Sequence, residues 1–232
     1  MNPPLVFRAM GKEQLIEKLI QEGFLRSPCV IEAFNQVDRA AFVPAQYRAE
    51  AYADYPLPIG FGQTISQPAT VAFMLEHLQP KPGEKILEIG AGSGWQTALL
   101  AYLVTHDPER PAELADEPGK IIAVEILPML KDMAADNLTS HGYIEKGIVQ
   151  VELGDGANGW AAEAPFHKII SAAASDYVRV AWKNQLRLRG RLVVPVKDTI
   201  KVLDKVGQDE FREETYRGFR FVPLVTDEGD GA

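Results

Sequence analysis

The sequence predicts an α/β fold: a doubly wound, mostly parallel sheet, preceded by a helical segment and closed by an antiparallel strand pair. Three observations predict it. Ile86-Leu87-Glu88-Ile89 is a largely apolar run, too short for a helix, that opens onto glycines at 90, 92 and 94 and then onto Trp95 to Val104, a segment of helical length. Beyond it, apolar runs at 120–125, 148–153, 168–171 and 191–196 are separated mainly by stretches of helical pattern. Strand and helix in alternation is the order of a parallel sheet covered on its faces. Finally, 232 residues with 46% hydrophobic content suffice for one core of this kind.

Residues 1–80 form the leading helical and loop segment of a single domain. Over residues 12–22, Leu15, Ile16, Leu19 and Ile20 share a helical face, and Gly23 is placed to end it. Ser27-Pro28 offers an N-cap and a first-turn proline to a second helix running to about Val37. Pro44 breaks the next segment, and 46–52 reads as a short helix. From Tyr55 to Pro68, the residues Pro56, Pro58, Gly60, Gly62 and Pro68 exclude regular helix and central strand. Leu57, Ile59, Phe61 and Ile65 predict that this long loop is packed down, and long structureless loops of that kind are usually functional. Pro68 starts a third helix with Val71, Met74, Leu75 and Leu78 facing inward.

Residues 81–225 carry the α/β core. After the glycine turn, a strand over 120–125 ends in Glu125, and the helix at 128–140 stops near Gly142. Strands follow at 148–153 and 168–171, then a helix from Asp176 to Leu188 capped at Ser175 or Asp176, then a strand from Arg191 to Val196. Residues 200–206 and 217–225, joined by a polar connection around Gln208-Asp209-Glu210, read as the closing antiparallel pair. The proline- and acid-rich stretch from Thr105 to Gly119 reads as a solvated surface insertion, and 226–232 as a frayed tail.

Composition narrows the function. A net charge of −8 is a poor match for wrapping nucleic acid, where basic residues neutralise phosphates. The one cysteine, Cys29, excludes an internal disulfide framework and reads as a buried structural thiol. Met1 to Gln14 lacks the apolar core of a signal peptide, and no segment approaches membrane-spanning length, so a soluble, cytosolic chain is expected. His77, His106, His141 and His167 are scattered, and no metal-ligand spacing is present.

The glycine turn restricts the ligand. A dinucleotide fingerprint places its third glycine where this chain has Trp95, and a phosphate-binding P-loop requires a lysine that is absent. What remains, E-x-G-x-G-x-G, resembles the first motif of methyltransferases that bind S-adenosyl-L-methionine; a turn that only links strand to helix is the alternative. In open α/β sheets the ligand lies beyond the carboxyl ends of the strands. There Glu125 can accept from a ribose diol or stand as a solvated strand end. Asp155, within Gly154-Asp155-Gly156, can accept from an adenine amino group or only shape a turn. Ser171-Ala172-Ala173-Ala174 leaves room for a ligand, or packs helix on sheet.

Beyond that motif, Val37-Asp38-Arg39-Ala40-Ala41-Phe42-Val43-Pro44, the run from Ala51 to Gly60 and Gly62-Gln63-Thr64-Ile65-Ser66-Gln67-Pro68 resemble the protein-L-isoaspartate O-methyltransferase family. So do Gly154-Asp155-Gly156, Arg191 to Val196 and Arg220-Phe221-Val222-Pro223-Leu224. The similarity spans about residues 12–225 in family order, and Asp54 to Pro68 is its specific part. The resemblance implies a Rossmann-like methyltransferase that esterifies the free carboxylate of isoaspartyl residues in damaged proteins and peptides, the first step of their repair. It implies S-adenosyl-L-methionine as cofactor, S-adenosyl-L-homocysteine as product, no metal, and a monomer without nucleic-acid or membrane partners. Ser66 is then catalytic. Gln63, Ile65, Glu88, Gly90, Ala91, Gly92, Ser93, Glu125, Ile126, Asp155 and Gly156 hold the cofactor. Pro58, Ile59, Ser66 and Val222 meet the substrate. Read without the resemblance, Ser66 is a helix cap ahead of Pro68.

Four departures bear on the substrate groove: Ala69 stands where His or an aromatic is frequent, 176–180 lacks a proline, Lys197 replaces a frequent glycine, and the acidic insertion is unusual. A methyltransferase for another carboxylate or small molecule, and a cofactor-binding protein without catalysis, remain alternatives. An isoaspartyl carboxyl resembling Asp, with a pKa of roughly 3.9, is already an anion at neutral pH. Its attack on a sulfonium methyl therefore needs neither base nor metal, only alignment of the reactants.

Overall fold

The computed structural model describes residues 10–106 and 119–227. The predicted surface insertion lies outside these over 107–118, as do the first nine residues and the tail from 228. The elements are α1 (Lys12–Gln21), α2 (Pro28–Gln36), β1 (Leu57–Gly60), β2 (Gln63–Ile65), α3 (Pro68–Leu78), β3 (Lys85–Ile89), α4 (Trp95–Thr105), β4 (Lys120–Glu125), α5 (Pro128–Ser140), β5 (Val149–Leu153), β6 (Phe166–Ser171), α6 (Val180–Gln185), β7 (Leu186–Val196), β8 (Thr199–Lys205) and β9 (Phe211–Arg217). Seven strands form one sheet in the order β5-β4-β3-β6-β7-β8-β9. Pairing is parallel from β5 to β7 and antiparallel for β7–β8 and β8–β9.

β3 is central. Ile86 pairs with Ile121 on one side and Lys168 on the other, and Ile86, Leu87, Ile121, Ile122, Ile169 and Ile170 have no exposed surface. Strands buried on both faces read as continuous apolar runs, which is why these were visible in the sequence. The chain leaves β3 toward β4 and β5, then returns to β6 and β7 on the other side. The strand order therefore reverses between β3 and β6, and a cleft opens there at the carboxyl ends.

Two cores lie on the two faces. Ile86, Ala98, Leu99, Leu130 and the N-terminal helices share one, and Leu87, Ile89, Phe166, Ile169 and Trp182 the other. α4 is apolar nearly all round because it is covered by α2 as well as by β4. The buried Glu76 of α3 accepts the Arg26 and Ser27 amides, each at 2.8 Å, and the Ser27 hydroxyl at 2.6 Å. The start of α2 is thus capped by a neighbouring helix; Ser27 occupies the N-cap position, but its hydroxyl is spent on Glu76.

Several expectations are corrected. The helix read over 176–188 is only α6, because Ser175 pairs with the strand end instead: its amide donates to Pro195 and its carbonyl accepts from Lys197. The closing strand read at 217–225 is β9, at 211–217; Val222 to Leu224 instead cross back to Ala174. Residues 55–68 hold the antiparallel hairpin β1–β2, separate from the main sheet. Residues 45–50 are 3-10 helix, Ile20 is 43% exposed at the edge of its helical face, and Cys29 is only half-buried against the core. Lys197, read as a departure from glycine, takes φ +54°, a conformation glycine adopts freely.

Candidate active site

An open cleft, about 560 Å³ with the solvent space at its mouth included, lies beyond β3, β4 and β6, where ligands of open α/β sheets bind. Ile59, Gln63, Gly90, Gly92, Glu125, Ile126, Gly156 and Val222 line it. An adjoining recess of about 320 Å³ is lined by Ile65, Ser66, Ala91, Ser93, Trp95 and Gln96. Thr64, Gly90, Gly92 and Ala172 belong to both, so the two spaces meet across the glycine turn.

The three glycines of that turn do different work. Gly90 and Gly92 have φ +84° and +56°; a Cβ on Gly92 would press on Ile59 Cδ1 at 3.3 Å, and one on Gly90 would approach Ala172 Cβ at 3.7 Å. Side chains there would fill the cleft. Gly94, the N-cap of α4, faces Leu138 and Ala134 at 3.3–3.4 Å and serves packing against α5.

Glu125 is 6% exposed, and its two oxygens accept from the Gly92 and Leu127 amides, each at 3.0 Å. Each oxygen keeps a lone pair, enough for the two hydroxyls of a diol. Asp155 Oδ1 accepts the Ala157 amide at 2.8 Å and caps a 3-10 turn that begins at Gly156. Its carboxylate does not line the cleft, and neither does Pro58, which is exposed on β1.

Glu88 is fully buried behind the turn and likewise lines neither space. Burial pushes its carboxyl up to about 7; hydrogen-bonding contact with Thr97 and Gln96 draws it down, and the Glu125 charge adds to the rise. Only the bond from Gln96 Nε2 to Oε1, 2.9 Å, is well formed, whereas Oε2 and Thr97 Oγ1 have no hydrogen-bond partner among the described residues.

Ser66 follows β2, and Asp54 and Arg39 hold its surroundings. Asp54 Oδ1 accepts the Ala69 amide at 2.9 Å and Oδ2 takes the Lys18 ammonium at 2.8 Å. Arg39 donates to the Ser66 carbonyl at 3.0 Å. The N-cap position of α3 is Gln67, so Ser66 does not occupy it. Among the lining residues that sequence reading left without a role are Thr64, Trp95, Gln96, Leu127, Leu130 and the stretch Pro223 to Val225, whereas Ala172 and Ala173 are where the small-residue run placed room for a ligand.

A doubly wound sheet with a glycine turn after its central strand, and a buried acid ending the next, has the architecture of the Rossmann-like methyltransferases. The chain is 42% identical over 228 residues to the protein-L-isoaspartate O-methyltransferase of Methanopyrus kandleri, covering 97% of this chain and 95% of that one. It is 44% identical over 209 residues to that of Anaeromyxobacter dehalogenans, covering 87% and 91%. The family model for protein-L-isoaspartate(D-aspartate) O-methyltransferase matches residues 10–229, and the chain belongs to that family. Among solved structures, a Plasmodium falciparum beta-aspartate methyltransferase in complex with S-adenosyl-L-homocysteine superposes with a TM-score of 0.82 at 20% identity, over 94% of this chain and 100% of that one. At that identity the likeness is one of fold.

Proposed function

We propose that this protein transfers a methyl group from S-adenosyl-L-methionine to the free carboxylate of isoaspartyl residues in damaged proteins and peptides. Family membership supports the activity. The observation that carries the geometry is the continuity of the two spaces across Thr64, Gly90, Gly92 and Ala172, which joins the Glu125 end to the Ser66 end.

The residues fit the cofactor. Gly90 and Gly92 leave the space that a Cβ would fill, Glu125 keeps acceptor capacity for a diol, and Trp95 Nε1 is a buried donor without a partner among the described residues. When bound, S-adenosyl-L-methionine supplies a methyl group on a sulfonium, and its transfer to a carboxylate oxygen neutralises both charges and leaves S-adenosyl-L-homocysteine. Glu125 would hold the ribose and Gly156 and Ile126 would flank the adenine, while Asp155, whose Oδ1 accepts the Ala157 amide and whose Oδ2 meets the Asp227 amide at 3.3 Å, would fix the turn that carries Gly156. Ala91, Ser93 and the rest of the turn carry the amino-acid arm, with Glu88 bracing the turn from behind through Gln96. The Ser66 hydroxyl donates to the substrate carboxylate and orients it, while Ile59 and Val222 shape the groove and exclude water, which favours the charged reactants. Alignment of this kind supplies ~7–11 kcal/mol of the barrier.

The protein acts as a cytosolic monomer on protein substrates, with no nucleic-acid or membrane partner. The net charge of −8 supports the first exclusion, and no helix among the described residues is long and apolar enough to cross a membrane. The test is methyl transfer to a peptide containing isoaspartate, with the aspartyl peptide as control. Equal transfer to both would redirect the assignment to another carboxylate, and binding of S-adenosyl-L-homocysteine without transfer to either would leave a binding protein.

A further inference from the structure

We propose that Arg39 is a positioning residue of the methyl-transfer site: its buried guanidinium fixes the loop that carries Ser66 against the glycine turn and the first residue of α4. The proposal rests on the assignment of Ser66 above.

Arg39 is 2% exposed. One terminal nitrogen donates to the carbonyls of Ala51, at 2.6 Å, and Ala53, at 3.4 Å; the other donates to those of Tyr55, at 3.2 Å, and Ser66, at 3.0 Å. Its guanidinium carbon lies 5.2 Å from the centroid of the Trp95 ring. No carboxylate is within salt-bridge distance of it among the described residues. Burial draws its pKa down to about 10, against the pull of Asp54 and Tyr55, so it remains a cation at neutral pH.

A buried cation without a carboxylate is an expensive way to fill space, and an apolar side chain would fill it at lower cost. A planar fork of donors does what no apolar group can: it collects carbonyls that are distant in sequence and sets their spacing. Three of the four belong to the run into β1, and the fourth is the carbonyl of Ser66 itself. The opposite face of the cation meets Trp95, which begins α4 directly after Gly94 and lines the same recess as Ser66. Arg39 therefore touches both walls of that recess, the loop through its carbonyls and the start of α4 through Trp95, without lining it.

The test compares the full-length wild type with Arg39→Lys, which keeps the charge but not the fork, and with Arg39→Gln, which is uncharged and serves if the lysine variant does not fold. Hydrogen exchange over residues 51–66 should accelerate about 10-fold or more, with β3 and β4 unchanged. Turnover on an isoaspartyl peptide should fall roughly 30–100-fold through kcat, while the Kd for S-adenosyl-L-homocysteine stays within about 3-fold. Because Arg39 acts through Ser66, the same substitution in a Ser66→Ala background should cost only about 3-fold more. Equal losses in both backgrounds, or wild-type turnover and exchange in the variant, would overturn the proposal. So would a Ser66→Ala variant with full turnover. Failure of the functional assignment shows differently, as a wild type that methylates no isoaspartyl peptide; exchange over 51–66 then decides alone whether Arg39 holds the loop.

Discussion

Asp54 Oδ1 accepts the Ala69 amide at 2.9 Å, so a capping bond at the start of α3 comes from the loop before the hairpin and leaves the Ser66 hydroxyl free for another partner. This separates two roles that the sequence alone left together. Ser66→Ala should leave stability within about 0.5 kcal/mol of wild type, whereas Asp54→Ala should cost about 1–2 kcal/mol as a lost cap. Urea denaturation of the two variants checks the first half. The second half is turnover: Ser66→Ala should lower kcat on an isoaspartyl peptide with cofactor affinity retained, and undiminished turnover at saturating substrate would remove Ser66 from the chemistry.

Glu125 serves the fold and the ligand at once, through the Gly92 and Leu127 amides and its spare lone pairs. Glu125→Gln keeps an acceptor but loses the charge-assisted bonds, so affinity for S-adenosyl-L-homocysteine should fall by roughly 1.5–3 kcal/mol. Calorimetry measures this directly, and unchanged affinity in a folded variant would place the ribose elsewhere.

The Glu88 carboxyl, raised from 4.5 to about 7 by burial, makes stability depend on pH. Between those values the folded protein holds a proton that the unfolded chain has lost. Its contribution is therefore full below about 4.5 and is lost as pH rises toward 7, by up to about 3 kcal/mol. Glu88→Gln should flatten that slope and raise the melting temperature at pH 8 more than at pH 5. Turnover per folded enzyme should stay level across about pH 6–9, because the acceptor is already ionised. A bell-shaped profile that loses one limb on replacing a histidine would reveal a general base.

Lys197 turns the chain from β7 into β8 at φ +54°, while its amide donates to the Ser175 carbonyl at 3.0 Å. A side chain in the left-handed region costs about 1 kcal/mol or more, partly offset by the extra freedom glycine has when unfolded. Lys197→Gly should accordingly stabilise the protein by about 0.5–1 kcal/mol, read as a higher urea midpoint at constant m-value.

The central strands and most helices were legible because their signals are local. Pro28, Pro68 and Pro128 each stand at the first position of a helix, and β3 and β4 are apolar runs bounded by glycine or charge. β9 was not legible: Phe211 to Arg217 is exposed at nearly every position, so it has no buried face to produce a period. Val222 and Leu224 misled in the opposite direction, since their apolar side chains line the cleft and pack on the second core without belonging to a strand of the sheet. In the site, the glycines and Glu125 could be read from their places after strands. Asp54 and Arg39 could not be given roles, because their partners lie 15 and 27 residues away, at Ala69 and Ser66, and only packing brings them together.

The crossing of Val222 to Leu224 over Ala174 has a consequence for how the protein comes into being. The Ala174 amide donates to Val222 at 2.8 Å, and Leu224 donates back at 2.7 Å. Every strand of the sheet is synthesised before this stretch, yet one wall of the cleft is missing until it arrives. The sheet can thus assemble before this stretch docks, and the cleft gains its last wall only when Val222 to Leu224 settle against Ala174.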